Sequence, residues 1–233
     1  MNLADPNLPL LDTVAGALGD LCGRFVFVGG CAAGLLITDR AASPVRATRD
    51  VDVVVEVVSL VQYHTIEHQL EQGGFRRDRS HEAPICRWIV AGCMLDVMPS
   101  DARVLGFGNR WYPLAIRTAQ PIELPSGQSI RLIAPPVFLA TKLDAFRGRG
   151  AGDFLASHDL EDVTVLIDGR PELVEEVRAS DPQLREYLAE QLGGLLANDA
   201  YLDALPGHLP GDDASQARLP LIRERLRLLA ARG

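Results

Sequence analysis

The chain has 233 residues, 47% of them hydrophobic and 23% charged, which is enough apolar material for one large core or two small ones and argues against disorder. A net charge of −8 argues against a surface built to coat nucleic acid. No apolar run reaches the length of a membrane span and the N-terminus lacks the basic region of a signal peptide, so a soluble cytoplasmic protein is expected, with no membrane partner.

In chain order, Leu and Val at helical spacing predict a helix over 8–21, and an apolar run predicts a strand over 24–28 that Gly29-Gly30 ends. A helix over 31–37 and a loop through Ala42-Ser43-Pro44 lead to the strand Asp50-Val51-Asp52-Val53-Val54-Val55. A second amphipathic helix spans 60–72 and is closed by Gly73-Gly74. Residues 85–90 and 93–98 flank Ala91-Gly92 as a tight hairpin, and 121–124 and 129–132 bracket the turn Pro125-Ser126-Gly127. Beyond Ala134-Pro135-Pro136 the pattern turns helical, over 137–146, 160–166, 171–178, 182–192 and 219–231, with 207–216 read as a loop. The expected fold is therefore α/β (α+β): a core with a mixed sheet over 1–134, then a helical lobe over 135–233, with a cleft between them. Cys22, Cys31, Cys86 and Cys93 lack paired spacing and suit reduced thiols better than disulfides or a zinc knot.

Strand side chains alternate, so Asp50 and Asp52 leave one face while Val51 and Val53 anchor the other. Two carboxylates ~5 Å apart repel by about 3 kcal/mol at an effective dielectric near 20. A divalent cation removes that cost, and hard oxygen ligands of this kind suit magnesium. Asp96 lies inside an apolar strand, Met94-Leu95-Asp96-Val97-Met98, where an unpaired charge would be costly. Gly29-Gly30 at a strand end lets backbone N–H groups approach a phosphate with no Cβ in the way.

Residues 1–150 carry 15 basic and 15 acidic side chains, whereas 151–233 carry 8 and 16, so the second half supplies the whole acidic excess. Arg46, Arg49, Arg76, Arg77, Arg79, Arg147 and Arg149 could form a local positive rim. Lys142 is the only lysine beside 22 arginines, and a compact ammonium acting on a phosphate is one reason to keep it. Read from the residues alone, Asp159 suits the cap of a helix beginning at Leu160. His64-Thr65-Ile66-Glu67-His68 fits the inverted zinc-protease pattern but also a sheet-covering helix with polar residues outward.

The glycine pair, the Asp-x-Asp strand and the later strand-borne Asp96 together resemble the nucleotidyltransferase superfamily typified by DNA polymerase β. More narrowly, Phe27-Val28-Gly29-Gly30-Cys31-Ala32-Ala33, Arg46-Ala47-Thr48-Arg49-Asp50-Val51-Asp52, Ala140-Thr141-Lys142-Leu143-Asp144-Ala145-Phe146 and His158-Asp159-Leu160-Glu161-Asp162 resemble the AbiEii/AbiGii-type nucleotidyltransferase toxin family. Cys31 stands where that family often has Ser or Thr, and His158 where a basic residue is frequent. The resemblance implies a polymerase β-like core with a helical lobe closing a nucleotide cleft, and a two-ion Mg2+ site on Asp50, Asp52 and Asp96. It implies that Asp96 aligns or deprotonates the acceptor, that Gly29 and Gly30 cradle phosphate, that Lys142 contacts the triphosphate, and that Asp159 and Asp162 orient the nucleotide or Lys142. The implied reaction moves an NMP from an NTP to a hydroxyl of RNA or tRNA, within a toxin–antitoxin system that includes an antitoxin protein. The alternatives are a small-molecule acceptor such as an aminoglycoside, or a catalytically silent binding module.

Overall fold

A computed structural model describes residues 5–149 and 152–231, so the first four residues, which the signal-peptide expectation uses, lie outside the described residues. The chain runs through α1 (Leu8–Leu18), β1 (Phe25–Val28), the one-turn α2 (Ala33–Leu36), β2 (Asp50–Val55), α3 (Leu60–Gln72), β3 (Arg76–Arg77), β4 (Arg87–Val90), β5 (Cys93–Pro99), α4 (Tyr112–Thr118), β6 (Gln120–Glu123) and β7 (Ser129–Leu132). Helices follow: α5 (Pro135–Arg149), α6 (His158–Gly169), α7 (Leu173–Arg178), α8 (Pro182–Leu196), α9 (Asp199–Ala204), α10 (Asp213–Gln216) and α11 (Leu219–Ala230). Among the described residues no helix is long and apolar enough to cross a membrane.

The fold is mixed α/β. Among the described residues seven strands form one sheet in the order β3-β4-β5-β2-β1-β7-β6. All four residues of β1 are buried, which is why its sequence is an unbroken apolar run rather than an alternating one. It lies antiparallel to β2 and parallel to β7, while β2 lies parallel to β5. The described residues divide into two compact units: 5–32 with Arg46–Ala134, and Ala33–Val45 with the described residues from Pro135 onward.

In the sheet unit, α1 buries Leu8, Leu11, Val14, Ala15 and Leu18 at helical spacing and packs on β2 and β5. At its N-terminus Asn7 is almost wholly buried. Its Nδ2 donates to the Arg46 carbonyl (3.0 Å) and its Oδ1 accepts from the Thr48 amide (2.8 Å), which ties down the approach to Asp50. Tyr63 of α3 donates its hydroxyl to the Val97 carbonyl of β5 (2.8 Å).

β4 and β5 are joined by the two-residue loop Ala91-Gly92, both at positive φ (49° and 80°). Both central residues of this tight hairpin type take positive φ, which glycine adopts freely and Ala91 does not. Ala91→Asn, which tolerates that conformation, is expected to stabilise the protein by about 0.5–1 kcal/mol. A urea-unfolding midpoint at or below the parent's would contradict this.

The helical unit gathers α2 and its loop around the end of α6. The amides of Thr38 and Asp39 both donate to the Gly169 carbonyl (2.9 Å each), and Arg170 Nη1 donates to the Leu36 carbonyl (2.7 Å). Asp168, fully buried, accepts from Arg218 Nε (2.6 Å) and from the Ser43 amide (3.2 Å), while Arg218 Nη2 reaches Asp39 (2.6 Å). A Cβ at Gly169 would meet Ile37 at 2.7 Å, so this close approach requires glycine.

His208 is buried in the same unit with Nε2 lacking a hydrogen-bond partner, and burial holds its pKa below the usual 6.5. Between that lowered value and 6.5 the unfolded chain binds more protons than the folded one, so stability is complete above pH 6.5 and falls as the pH drops through that window. His208→Gln is therefore expected to lose less melting temperature than the parent between pH 7.5 and 5.5. Equal losses would contradict a buried neutral imidazole.

Candidate active site

The strand register places one row of side chains across the middle of the sheet. Arg87 of β4 lies opposite Asp96 of β5, Asp96 opposite Asp52 of β2, and Asp52 opposite Val28, the last residue of β1. Directly paired residues share a face, so the carboxyl groups of Asp52 and Asp96 leave the same side, as does that of Asp50 two residues earlier. On the other face Val51, Val53, Leu95 and Val97 are fully buried. The three acids singled out from the sequence are thus gathered on strands whose spacing is ~4.8 Å, and their side chains have a rigid apolar backing.

Arg87 is not among the residues singled out from the sequence, yet it organises the acids. Its Nε and Nη2 donate to the two oxygens of Asp96 (2.8 and 2.7 Å), and Nη2 also donates to Asp50 Oδ2 (2.7 Å). The forked guanidinium matches the carboxylate plane, and each bond is charge-assisted. These bonds, the contact with Asp96 first, hold the Arg87 pKa above its ordinary value. The Asp50 side chain is 34% exposed and that of Asp96 only 10%, so solvent reaches the site from the Asp50 side. Burial first, and the Asp96 charge second, push the neighbouring Cys86 thiol up to about 12, which makes it an inert thiol rather than a nucleophile.

Gly29 leaves β1 at φ +68°, and a Cβ built on it would lie 1.9 Å from Asp52 Oδ2 and 2.6 Å from Asp52 Cβ. The glycine is therefore required twice, by its left-handed backbone and by the carboxylate seated against it. Gly30, buried, opens a single 3-10 turn over Gly30–Ala32, and Cys31 donates its thiol to the Val28 carbonyl (3.5 Å).

Among the described residues no three His, Cys, Asp or Glu side chains stand arranged as a metal-ligand set; Asp50 and Asp96 are drawn onto Arg87 instead. The donor chemistry nevertheless fits a hard divalent cation: three carboxylates on one face, with a positive group already bridging two of them.

The helical unit holds a charged cluster. Lys142 of α5, buried, places Nζ 2.6 Å from Asp162 Oδ2 and 3.4 Å from Asp159 Oδ1. Both aspartates are buried on α6, whose N-cap is Ser157, accepting from the Leu160 amide (3.3 Å). Asp159 thus lies inside the helix and is not its cap.

His64, Glu67 and His68 do not assemble a zinc site: Glu67 is engaged by His64 Nδ1 (2.5 Å) and by Arg77, and His68 is exposed beside Gln72. Arg77 also lies over the Trp88 ring (5.1 Å). Of the other arginines, Arg49, Arg76 and Arg79 are exposed on the sheet unit, Arg46 is half-buried there, Arg147 is exposed on the helical unit, and the Arg149 side chain lies outside the described residues.

No protein-family model and no curated protein matches the sequence. Among solved structures, the chain is similar to an antigenic nucleotidyltransferase-like protein from Paracoccidioides brasiliensis (20% identity, TM-score 0.49, covering 86% of this chain and 94% of that one). It is also similar to a Helicobacter pylori protein (12%, 0.47, 98% and 90%) and to ANT(2'')-Ia in complex with adenylyl-2''-tobramycin (12%, 0.45, 79% and 95%).

Proposed function

We propose that the chain is a magnesium-dependent nucleotidyltransferase that moves an NMP from an NTP to a hydroxyl acceptor, the hydroxyl oxygen bonding to the α-phosphorus as pyrophosphate leaves. The observation that carries this reading is the single row in which Asp52 and Asp96, with Asp50 beside them, share a face at the Gly29 turn. Asp50 and Asp52 would hold Mg2+, with Asp96 as third ligand. When bound, such ions stabilise the attacking and leaving oxygens of an in-line displacement at phosphorus. Asp96, the most enclosed of the three acids and one of the two that Arg87 joins, would take the proton of the acceptor hydroxyl. Backbone N–H groups at Gly29 and Gly30 would face phosphate oxygens, and the small residues keep that approach open. In the helical unit, Lys142 is proposed as a phosphate contact, oriented by Asp159 and Asp162.

Following the resemblance drawn from the sequence, the proposed acceptor is RNA, tRNA in particular, and the proposed setting is cytoplasmic, a toxin held in check by an antitoxin protein. A small polycationic acceptor is the second reading, favoured by the 16 acidic against 8 basic side chains of residues 151–233. Incubation with each α-labelled NTP, Mg2+ and either total RNA or an aminoglycoside panel tests both. Label is expected in the RNA, lost with EDTA. Label in the drugs alone would select the second reading, and none in any arm would refute transferase activity.

A further inference from the structure

We propose that Arg87 is a resident counter-cation that competes with divalent metal for Asp50 and Asp96, so that metal enters together with a nucleotide whose phosphates re-partner the displaced guanidinium. This deepens, and rests on, the nucleotide reading of the same site. Arg87 Nη2 lies 2.7 Å from an oxygen of each carboxylate, one on β2 and one on β5, which is the bridging place of a cation shared by two strands. Its Nε closes a bidentate grip on Asp96 (2.8 Å), and the arginine side chain is only 18% exposed.

Three charge-assisted bonds in a mostly enclosed setting are costly to break unless the guanidinium gains an equivalent partner. A metal ion arriving alone offers none, and it would stand beside a like charge. A triphosphate offers planar pairs of oxygens that suit the guanidinium fork as well as a carboxylate does. Two carboxylates held by one guanidinium keep a net negative charge, so they still draw a divalent cation; what Arg87 controls is when the ligand atoms are released. The device offsets the repulsion between Asp50 and Asp96 and links the uptake of metal and nucleotide.

The test is Mn2+ binding, read from the electron-paramagnetic-resonance signal of free Mn2+, to the full chain, to Arg87→Met and to Arg87→Lys, with and without the α,β-methylene analogue of ATP. The parent is expected to bind Mn2+ weakly alone and at least about tenfold more tightly with the analogue, a factor that corresponds to ~1.4 kcal/mol. Arg87→Met is expected to bind Mn2+ alone at least about tenfold more tightly than the parent. It should also melt lower than the parent in metal-free buffer and gain melting temperature with Mn2+, which the parent alone does not. Should Arg87→Met fail to fold, Arg87→Lys decides: its compact ammonium cannot span both carboxylates as the fork does, so its affinity for Mn2+ alone must exceed the parent's. Equal affinity of parent and variants without nucleotide, or weaker binding by the variants, would overturn the proposal. Affinity that depends on residue 87 without any nucleotidyl transfer would uphold it while refuting the transferase reading; transfer with affinity indifferent to residue 87 would do the reverse.

Discussion

Gly29→Ala is expected to lower stability by about 3 kcal/mol and to abolish nucleotidyl transfer, one methyl group acting through two separate causes. An alanine at φ +68° carries a backbone penalty of roughly 1–2 kcal/mol. The new Cβ would also fall 1.9, 2.5 and 2.6 Å from Oδ2, Cγ and Cβ of Asp52. The overlap reaches the root of that side chain, so a rotamer change cannot relieve it, and backbone displacement costs typically ~1–3 kcal/mol. For a chain of this size the sum corresponds to a melting temperature lower by roughly 6–12 °C. The causes separate in an Asp52→Gly background, where only the backbone part remains and Gly29→Ala should cost about 1–2 kcal/mol. Equal costs in both backgrounds would show that Asp52 does not require the glycine.

Asp52→Asn should lose transfer without the loss of stability: transfer falls while the fold persists. An amide keeps the shape and one acceptor oxygen but not the charge that holds a hard cation. Removing a group that merely orients a metal ligand costs typically ~10–100-fold, so loss of a ligand should exceed ~100-fold in transfer rate. Asp52 stands on the face that it shares with Asp50 and Asp96, so its charge lies among like charges. Its neutralisation should therefore leave the melting temperature in metal-free buffer within a few degrees of the parent's. Full activity in Asp52→Asn would remove this residue from the metal site, and a collapsed melting temperature would make its role structural.

Asp50 and Asp52 were legible as a pair because strand alternation is readable, and Asp96 because it interrupts an apolar strand; the parallel register that sets Asp96 opposite Asp52 joins distant segments and no local pattern announces it. Arg87 was missed although the signal existed. A two-residue loop at Ala91-Gly92 fixes Val90 opposite Cys93, and counting outward from that pair sets Arg87 against Asp96. The helix Leu60–Gln72 carried its own boundaries, a Ser59 cap and a closing Gly73, and was read to the residue. β3 has two residues and α4 seven, too few for periodicity to register. The grouping of Ala33–Val45 with the helical unit depends on contacts to Gly169, Asp168 and Arg218, distant partners that no local pattern announces.

The most direct test is a crystal structure with Mn2+ and the α,β-methylene analogue of ATP, read by anomalous scattering at the manganese edge. Manganese is expected ~2.1 Å from carboxylate oxygens of both Asp50 and Asp52, close to the distance that small hard divalent cations keep to oxygen, with the analogue's phosphates against Gly29 and Gly30 and Arg87 turned away from Asp50. Manganese seated elsewhere, or phosphates bound away from that turn with Arg87 still bridging Asp50 and Asp96, would contradict the account.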